Sequence, residues 1–291
     1  MSQVAPQNEP ITIPQNAYPI VRLSTEFFLR AIDLLTRAQG DKLISGLVFI
    51  AVWHSHMQQP DGGPVSVREL ARRLAVPYAT VRRYATELVR AGQCVATADG
   101  LAIPPAVRAS RANVELLRGM YLNSQRMLIE LTRAGAANYQ ASPETSPRKR
   151  ALTREQMVIA KASTRQVLEA IRLSAAVWDG DLLRALVYTA IWTANVKHVT
   201  NTAPASSQSV LADELRQPVS VLAISDSLRL PYETVRRHAA ALEKSGHCRR
   251  VGSRGMVVPG EVHRRFAHRA VEIHAIVAGY FAELRRSGVA I

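Results

Sequence analysis

Residues 77–83 have the sequence PYATVRR, and residues 231–237 repeat it with one change, as PYETVRR. The repeat extends over 64–97 and 218–251, where 15 of 34 aligned positions are identical without a gap. A long internal repeat bears on architecture before any local pattern does, because both copies must form the same structural unit. The sequence therefore predicts two related units in one chain.

Each copy carries the signals of two short helices joined by a tight turn. Ser66 and Glu69 have the spacing of a capping box at the start of the first helix. Pro77 suits the first position of the second helix, and Gly92 ends it. Apolar residues recur at the spacing that packs the two helices together. They are Leu70, Leu74, Val81, Ala85 and Leu88, with counterparts Ile224, Leu228, Val235, Ala239 and Leu242.

The second helix of each copy is predicted to turn a polar and basic face outward. Such a helix enters the DNA major groove with its N-terminal residues against base edges, where arginine contacts guanine or phosphate. A solvated surface would look similar in one copy, but its retention in both copies favours DNA recognition. The outward residues are Ala79, Arg82, Arg83 and Thr86 in the first copy and Glu233, Arg236, Arg237 and Ala240 in the second.

A hairpin follows the helix pair in each copy, and the two hairpins differ in charge. The first hairpin, residues 94–103, turns at Asp99-Gly100. The second hairpin carries three arginines that suit a phosphate backbone or a minor groove. These are Arg249, Arg250 and Arg254. We therefore expect the second hairpin to contact DNA strongly and the first weakly.

Position 79 and its counterpart 233 differ in chemistry. Ala79 can meet a thymine methyl group, whereas Glu233 accepts a hydrogen bond from cytosine. The sequence therefore predicts an imperfect, asymmetric pair of half-sites.

Residues 64–104 and 218–259 resemble bacterial winged helix-turn-helix domains, and we call each of them a head. The order of flanking helices, strand, helix pair, hairpin and closing helix in each half is similar to that of the MarR-type regulators. By that resemblance, Tyr78, Thr80, Arg82 and Arg83, with Tyr232, Thr234, Arg236 and Arg237, would contact DNA. The full predicted DNA-binding set is Ser66, Tyr78, Ala79, Thr80, Arg82, Arg83, Thr86, Ser220, Tyr232, Glu233, Thr234, Arg236, Arg237, Arg249, Arg250 and Arg254.

The duplication extends beyond the heads to their flanking helices, since Leu186-Val187-Tyr188 and Trp192 match Leu47-Val48-Phe49 and Trp53. The predicted fold is mainly α with small β-wings, organised as two tandem winged helix-turn-helix domains with flanking helices. Helices are expected over 26–37 and 42–56, from 105 to 133, and from 261 to 286. The predicted boundaries are a flexible N-terminal arm at 1–20, domain 1 at 21–134, a linker at 135–153 and domain 2 at 154–291.

Composition favours an anionic partner. The 291 residues carry a formal net charge of +14, with a pI near 10.5. Nucleic acid is the first expectation for such a charge and an acidic membrane surface the second. The start of the chain lacks a charged-then-apolar leader, and the apolar stretch 43–53 is too short to cross a bilayer. We therefore expect no membrane partner and a cytoplasmic, nucleoid-associated protein.

Cys94 and Cys248 occupy equivalent repeat positions, so each lies in its own unit and a framework disulfide is not expected. Small buried side chains are one interpretation. A redox switch is the other, because Arg249 could lower the thiol pKa of Cys248.

The chain carries none of the residue patterns that we associate with catalysis, metal or cofactor binding. The eight histidines form no ligand set by their spacing, and no glycine-rich phosphate loop is present. Asp41 and Asp181 follow glycine and are predicted to be helix N-caps rather than catalytic acids. We therefore expect neither enzymatic activity nor a cofactor.

Aromatic residues could line a small-molecule effector pocket, although their helical spacing also suits a core. They are Trp53, Trp192, Tyr121 and Tyr280.

The favoured hypothesis is a sequence-specific, double-stranded DNA-binding transcriptional regulator with two non-identical heads, compatible with further homodimerisation. The alternative is a plasmid-type replication or partition initiator, which also places two winged domains in one chain. A third class is a chromosome-organising scaffold that uses winged domains for protein contacts. The arginine-rich second hairpin and the net charge of +14 disfavour that class.

Overall fold

The computed structural model describes residues 17–58, 63–140, 152–198, 211–266 and 268–291. The chain is mainly helical, with two small antiparallel sheets of two strands each, as the sequence predicts. Most of the predicted arm and linker, residues 1–16 and 141–151, lies outside the described residues.

The first half contains six helices and one hairpin within its described residues. They are α1 (Ala17–Ala38), α2 (Leu43–Gln58), α3 (Val67–Leu74), α4 (Tyr78–Arg90), β1 (Val95–Thr97), β2 (Gly100–Ala102), α5 (Pro105–Arg108) and α6 (Arg111–Arg133).

The second half repeats this order, with a short 3-10 helix at Asp213–Leu215 before the helix pair. Its elements are α7 (Arg154–Val177), α8 (Leu182–Val196), α9 (Val221–Leu228), α10 (Tyr232–Lys244), β3 (Arg249–Val251), β4 (Gly255–Val257), α11 (Gly260–Phe266) and α12 (Arg269–Arg286).

Three of the predicted helices differ clearly from the structure. Helix α1 begins at Ala17, so the end of the predicted arm is helical. The helix predicted from 105 to 133 is interrupted at Ser110, whose extended backbone (ψ 149°) and side chain begin a new helix by accepting from the Asn113 N–H. The helix predicted from 261 to 286 is described as α11 and α12, on either side of residue 267.

One hydrophobic core runs through both halves. Helix α1 packs on α2 and α6 of its own half and on α8, α9 and α12 of the other. Helix α7 does the same in reverse, packing on α8 and α12 and, across the halves, on α2, α3 and α6. The first helix of each half therefore packs on both halves, and the predicted domains share one core.

Each hairpin is held against the segment that precedes the helix pair. Val65 and Leu101 exchange two backbone hydrogen bonds of 2.9 Å, and Val219 pairs with Met256 at 3.1 and 2.8 Å. The hairpin is thereby fixed beside the helix pair in each half.

A glycine is required at the point of closest approach. Gly255 has φ +125°, and a Cβ there would lie 2.2 Å from the Val219 carbonyl oxygen. Gly100 has φ +139° and would place a Cβ 2.3 Å from the Val65 oxygen. Both the backbone angle and the lack of space exclude any other residue at these positions.

Candidate nucleic-acid interface

Both helix pairs turn through a residue in the left-handed region. Ala75 ends α3 with φ 50°, and Arg229 ends α9 with φ 51°. In each pair a proline precedes the next helix at an extended backbone angle, Pro77 with ψ 136° and Pro231 with ψ 133°. The local sequence thus produces the same turn twice. The backbone conformation between α3 and α4 is the same as that between α9 and α10.

The inner faces of the helix pairs are buried as predicted. Leu70, Leu74 and Val81 are fully covered, and their counterparts Leu228 and Val235 are at most 1% exposed. Burying one face fixes the rotation of α4 and α10, so the residues between the apolar positions must face outward. The outward faces predicted for these helices are therefore confirmed as surface.

The outward face of α4 is basic and largely unneutralised. Ala79, Arg82 and Arg83 are exposed, and the Tyr78 side chain is 50% exposed. Within the described part of the chain, Arg82 and Arg83 form no salt bridge. The Arg83 guanidinium instead lies 4.6 Å from the centre of the Tyr84 ring. Two cationic side chains therefore remain available to an anionic ligand.

Helix α10 presents the same positions with a different electrostatic state. Glu233 accepts two hydrogen bonds of 2.7 Å from Arg236, from Nε and from a terminal nitrogen. These hydrogen bonds lower the pKa of the Glu233 carboxyl, which is therefore charged at neutral pH. Arg237 is exposed and forms no salt bridge among the described residues. One arginine of this face is thus free and the other is paired.

Two of the predicted residues are helix N-caps, and two others are half-buried. Ser66 and Ser220 cap α3 and α9 by accepting from the backbone N–H of Glu69 and Ala223. Thr80 and Thr234 are half-buried, in contrast to the exposed arginines beside them. The predicted capping box is only half formed, because the Glu69 carboxylate binds Arg72 and Arg73.

Thr86 is exposed on α4, and its hydroxyl donates to the Arg82 carbonyl at 2.9 Å. Arg90 lies along the same shallow groove as Tyr78, Arg82 and Thr86. The sequence interpretation missed Arg90, although its spacing of four residues from Thr86 places it on the same helix face.

The arginines of the second hairpin are exposed, but two of them face carboxylates. Arg249 lies 3.4 Å from Asp213, and Arg250 lies 3.6 Å from Glu243. Arg254, at the tip, forms no ion pair within the described ranges. Pairs this exposed are weak, so an anionic ligand can compete with the carboxylate for either guanidinium.

Arg229 was not predicted to matter, yet it joins the two halves. Its guanidinium donates to Asp33 at 2.7 Å and to Asp41 at 3.2 Å, both in the first half. The prediction that Asp41 is the N-cap of α2 is wrong. Its carboxylate accepts a hydrogen bond from Arg229, and its φ is 61°. Asp181 does cap α8, accepting from the Arg184 N–H at 2.9 Å.

Both cysteines are buried and free. Burial raises the pKa of Cys94 and of Cys248 to about 12, and the nearby Glu243 adds to the effect at Cys248. A lowered pKa at Cys248, which the redox hypothesis required of Arg249, is therefore wrong. The thiols are structural in this structure, because the thiolate is the reactive form.

No protein-family model matches this chain, and neither a curated protein nor a solved structure matches it significantly. Among the residues that the structure describes, no three His, Cys, Asp or Glu side chains come together to hold a metal ion. The described helices include none with the length and apolarity needed to cross a membrane.

Proposed function

We propose that the chain is a sequence-specific, double-stranded DNA-binding protein that regulates transcription through two non-identical winged helix-turn-helix heads. In this proposal α4 and α10 enter successive major grooves, and the hairpins are wings that contact the flanking backbone. The predicted cytoplasmic, nucleoid-associated location and the compatibility with homodimerisation belong to the same proposal.

The observation that carries the proposal is a pair of equivalent helices, α4 and α10, each with two adjacent arginines on its exposed face. Burial of the opposite face fixes the orientation of each helix. Arg82, Arg83 and Arg237 are exposed without a salt bridge in the described residues, and the chain as a whole is strongly basic. Unpaired arginines on a helix that projects from a packed base can reach both phosphates and guanine edges.

The arrangement of the two halves supports a single two-headed binder. Because α1 and α7 each pack on both halves, the heads are attached to a common core rather than to separate bodies. Dimeric regulators place two such helices at half-sites one DNA turn apart. One chain would therefore recognise a two-part site without a partner subunit.

Genome-wide occupancy of the full chain, followed by a motif search, tests the proposal. We expect scattered promoter sites that share a two-part motif with unequal halves. A single cluster of repeated sites at one origin would support the replication initiator instead. No sequence preference together with a shallow dependence of affinity on salt would contradict both.

Glu233→Ala is expected to strengthen DNA binding about fivefold near 0.15 M salt, because one cation becomes free to neutralise a phosphate. The freed cation is Arg236, which Glu233 now holds at 2.7 Å. The base preference of one half-site should change at the same time, since a glutamate and an alanine select different bases. Fluorescence anisotropy and selection from a random duplex pool measure the two effects.

The first head offers the matched reciprocal variant. Ala79→Glu places a carboxylate three residues before Arg82, at the spacing that Glu233 has from Arg236, and should weaken binding by a similar factor. The proposed role of this position is wrong when both variants keep the wild-type affinity and motif.

A further inference from the structure

The loop between α1 and α2 carries two adjacent side chains that contact both heads. Asp41 accepts a hydrogen bond of 3.2 Å from Arg229, which ends α9 in the second head. Lys42 donates to Glu87 of α4 in the first head at 3.1 Å. Because Asp41 and Lys42 are consecutive, these four residues connect the turn before α10 to α4, and we call them the bridge.

The contact between Asp41 and Arg229 joins two segments whose backbones are held by hydrogen bonds. On the acceptor side, the Asp41 N–H donates to the Thr36 carbonyl at 3.0 Å. On the donor side, the Ser225 hydroxyl donates to the Leu230 carbonyl at 2.7 Å, and Ser225 is only 6% exposed. Each end of the contact is therefore fixed within its own half.

The equivalent side of the molecule cannot form the same bridge. Ala75 stands where the second head has Arg229, and it has no charge to offer a carboxylate. Asp33 is a second acceptor of Arg229, at 2.7 Å, and its position in the second half is taken by Arg172. The second head is therefore attached to the opposite half by ion pairs that the first head lacks.

The ion pairs of the bridge are exposed, so their contribution to the stability of the fold is small. The Arg229 side chain is 36% exposed and that of Lys42 59%. Exposed charges act most strongly as a network, and salt screens them, since the Debye length falls to about 3 Å at 1 M. The bridge is thus suited to bias the position of one head relative to the other, in a salt-dependent manner.

We propose that Arg229 and Lys42 are positioning residues that set the distance between α4 and α10 and thereby the spacing of the two half-sites. The part that concerns half-sites rests on the proposed function, in which these helices enter successive major grooves. One base pair more or fewer shifts a half-site by about 3.4 Å and rotates it by about a tenth of a turn. Heads held by the bridge are expected to discriminate against such a shift.

The distance between the heads is measured without DNA, by double electron–electron resonance between spin labels at Thr86→Cys and Ala240→Cys. These exposed positions are equivalent in the two heads, and both native cysteines are buried. An intact bridge should give one narrow distance distribution, and about 1 M salt should broaden it. Arg229→Ala should broaden it at low salt. Ala75, with φ 50° against 51° for Arg229, shows that this turn accommodates alanine.

Lys42→Leu breaks the other contact of the bridge with the residue that the second half has at this position, and it should also broaden the distribution. Exchanging the charges, Lys42→Glu with Glu87→Lys, should restore the narrow distribution. Arg37→Ala is the matched control, because Arg37 is an exposed arginine that pairs with Asp33 inside the first half. An unchanged distribution in Arg229→Ala and Lys42→Leu overturns the bridge. If thermal unfolding shows Arg229→Ala to be misfolded, Lys42→Leu decides alone.

The DNA arm compares affinities for duplexes with the selected half-site spacing and with one base pair more or fewer. Arg229→Ala should reduce the wild-type preference for the selected spacing about fivefold, as expected for an exposed ion-pair network, and Arg37→Ala should not. An unchanged preference in a variant with a broadened distance distribution overturns the link to half-site spacing. A wild-type chain without DNA affinity overturns the proposed function, whereas the label distances still decide the bridge.

Discussion

Replacing Arg82 and Arg83 together with alanine is expected to weaken binding to the preferred duplex about 100-fold or more. Each arginine can contribute about 1–3 kcal/mol when it binds a guanine edge, and the salt dependence of the affinity falls for each phosphate that is no longer neutralised. Both side chains are exposed and without salt bridges in the described structure, so their contribution is available to the ligand rather than to the fold. Fluorescence anisotropy at several salt concentrations measures the affinity and its slope.

The equivalent change in the second head provides the matched control. Arg236→Ala with Arg237→Ala should cost less, about tenfold, because Arg236 is already held by Glu233 through two hydrogen bonds of 2.7 Å. Thermal unfolding of both double variants should remain close to wild type, as expected for exposed positions. Equal decreases in affinity in the two heads would contradict the difference between them, and no decrease in either would contradict DNA binding by these faces.

The sequence sufficed for those features that depend on near neighbours. Proline at positions 77 and 231, serine caps and apolar spacing act within one or two helical turns, and they place the outward faces of α4 and α10 correctly. The turn at Asp99-Gly100 likewise needs only the hairpin itself, which pairs from Val95 to Ala102. For such elements the physical cause and the sequence signal are the same few residues.

The features that sequence reasoning missed depend on contacts between distant parts of the chain. Arg229 forms ion pairs with Asp33 and Asp41, which are separated from it by 196 and 188 residues in the sequence. No local sequence pattern predicts such a pairing. Residues of both halves, from α1, α7, α8, α11 and α12, also line an apolar pocket, and no local sequence pattern predicts it. The break at Ser110 could have been found, because serine is among the residues most favoured as helix N-caps.

Tyr280→Ala is expected to lower the free energy of unfolding by about 3–5 kcal/mol, the usual cost of removing a large buried aromatic side chain. Tyr280 of α12 is only 1% exposed, and its hydroxyl forms a hydrogen bond with Ser124 of α6, so the change opens a hole at the junction of the two halves. Tyr280→Phe should cost about 1 kcal/mol through the lost hydrogen bond. Urea unfolding followed by circular dichroism and tryptophan fluorescence measures both, and Tyr232→Ala, at a side chain 50% exposed, is the surface control with little expected effect.

Because the halves share one core, wild type should unfold in a single transition by both probes. Two separate transitions would show that the halves are stable independently. A cost below about 1 kcal/mol for Tyr280→Ala would show that this junction contributes little to stability.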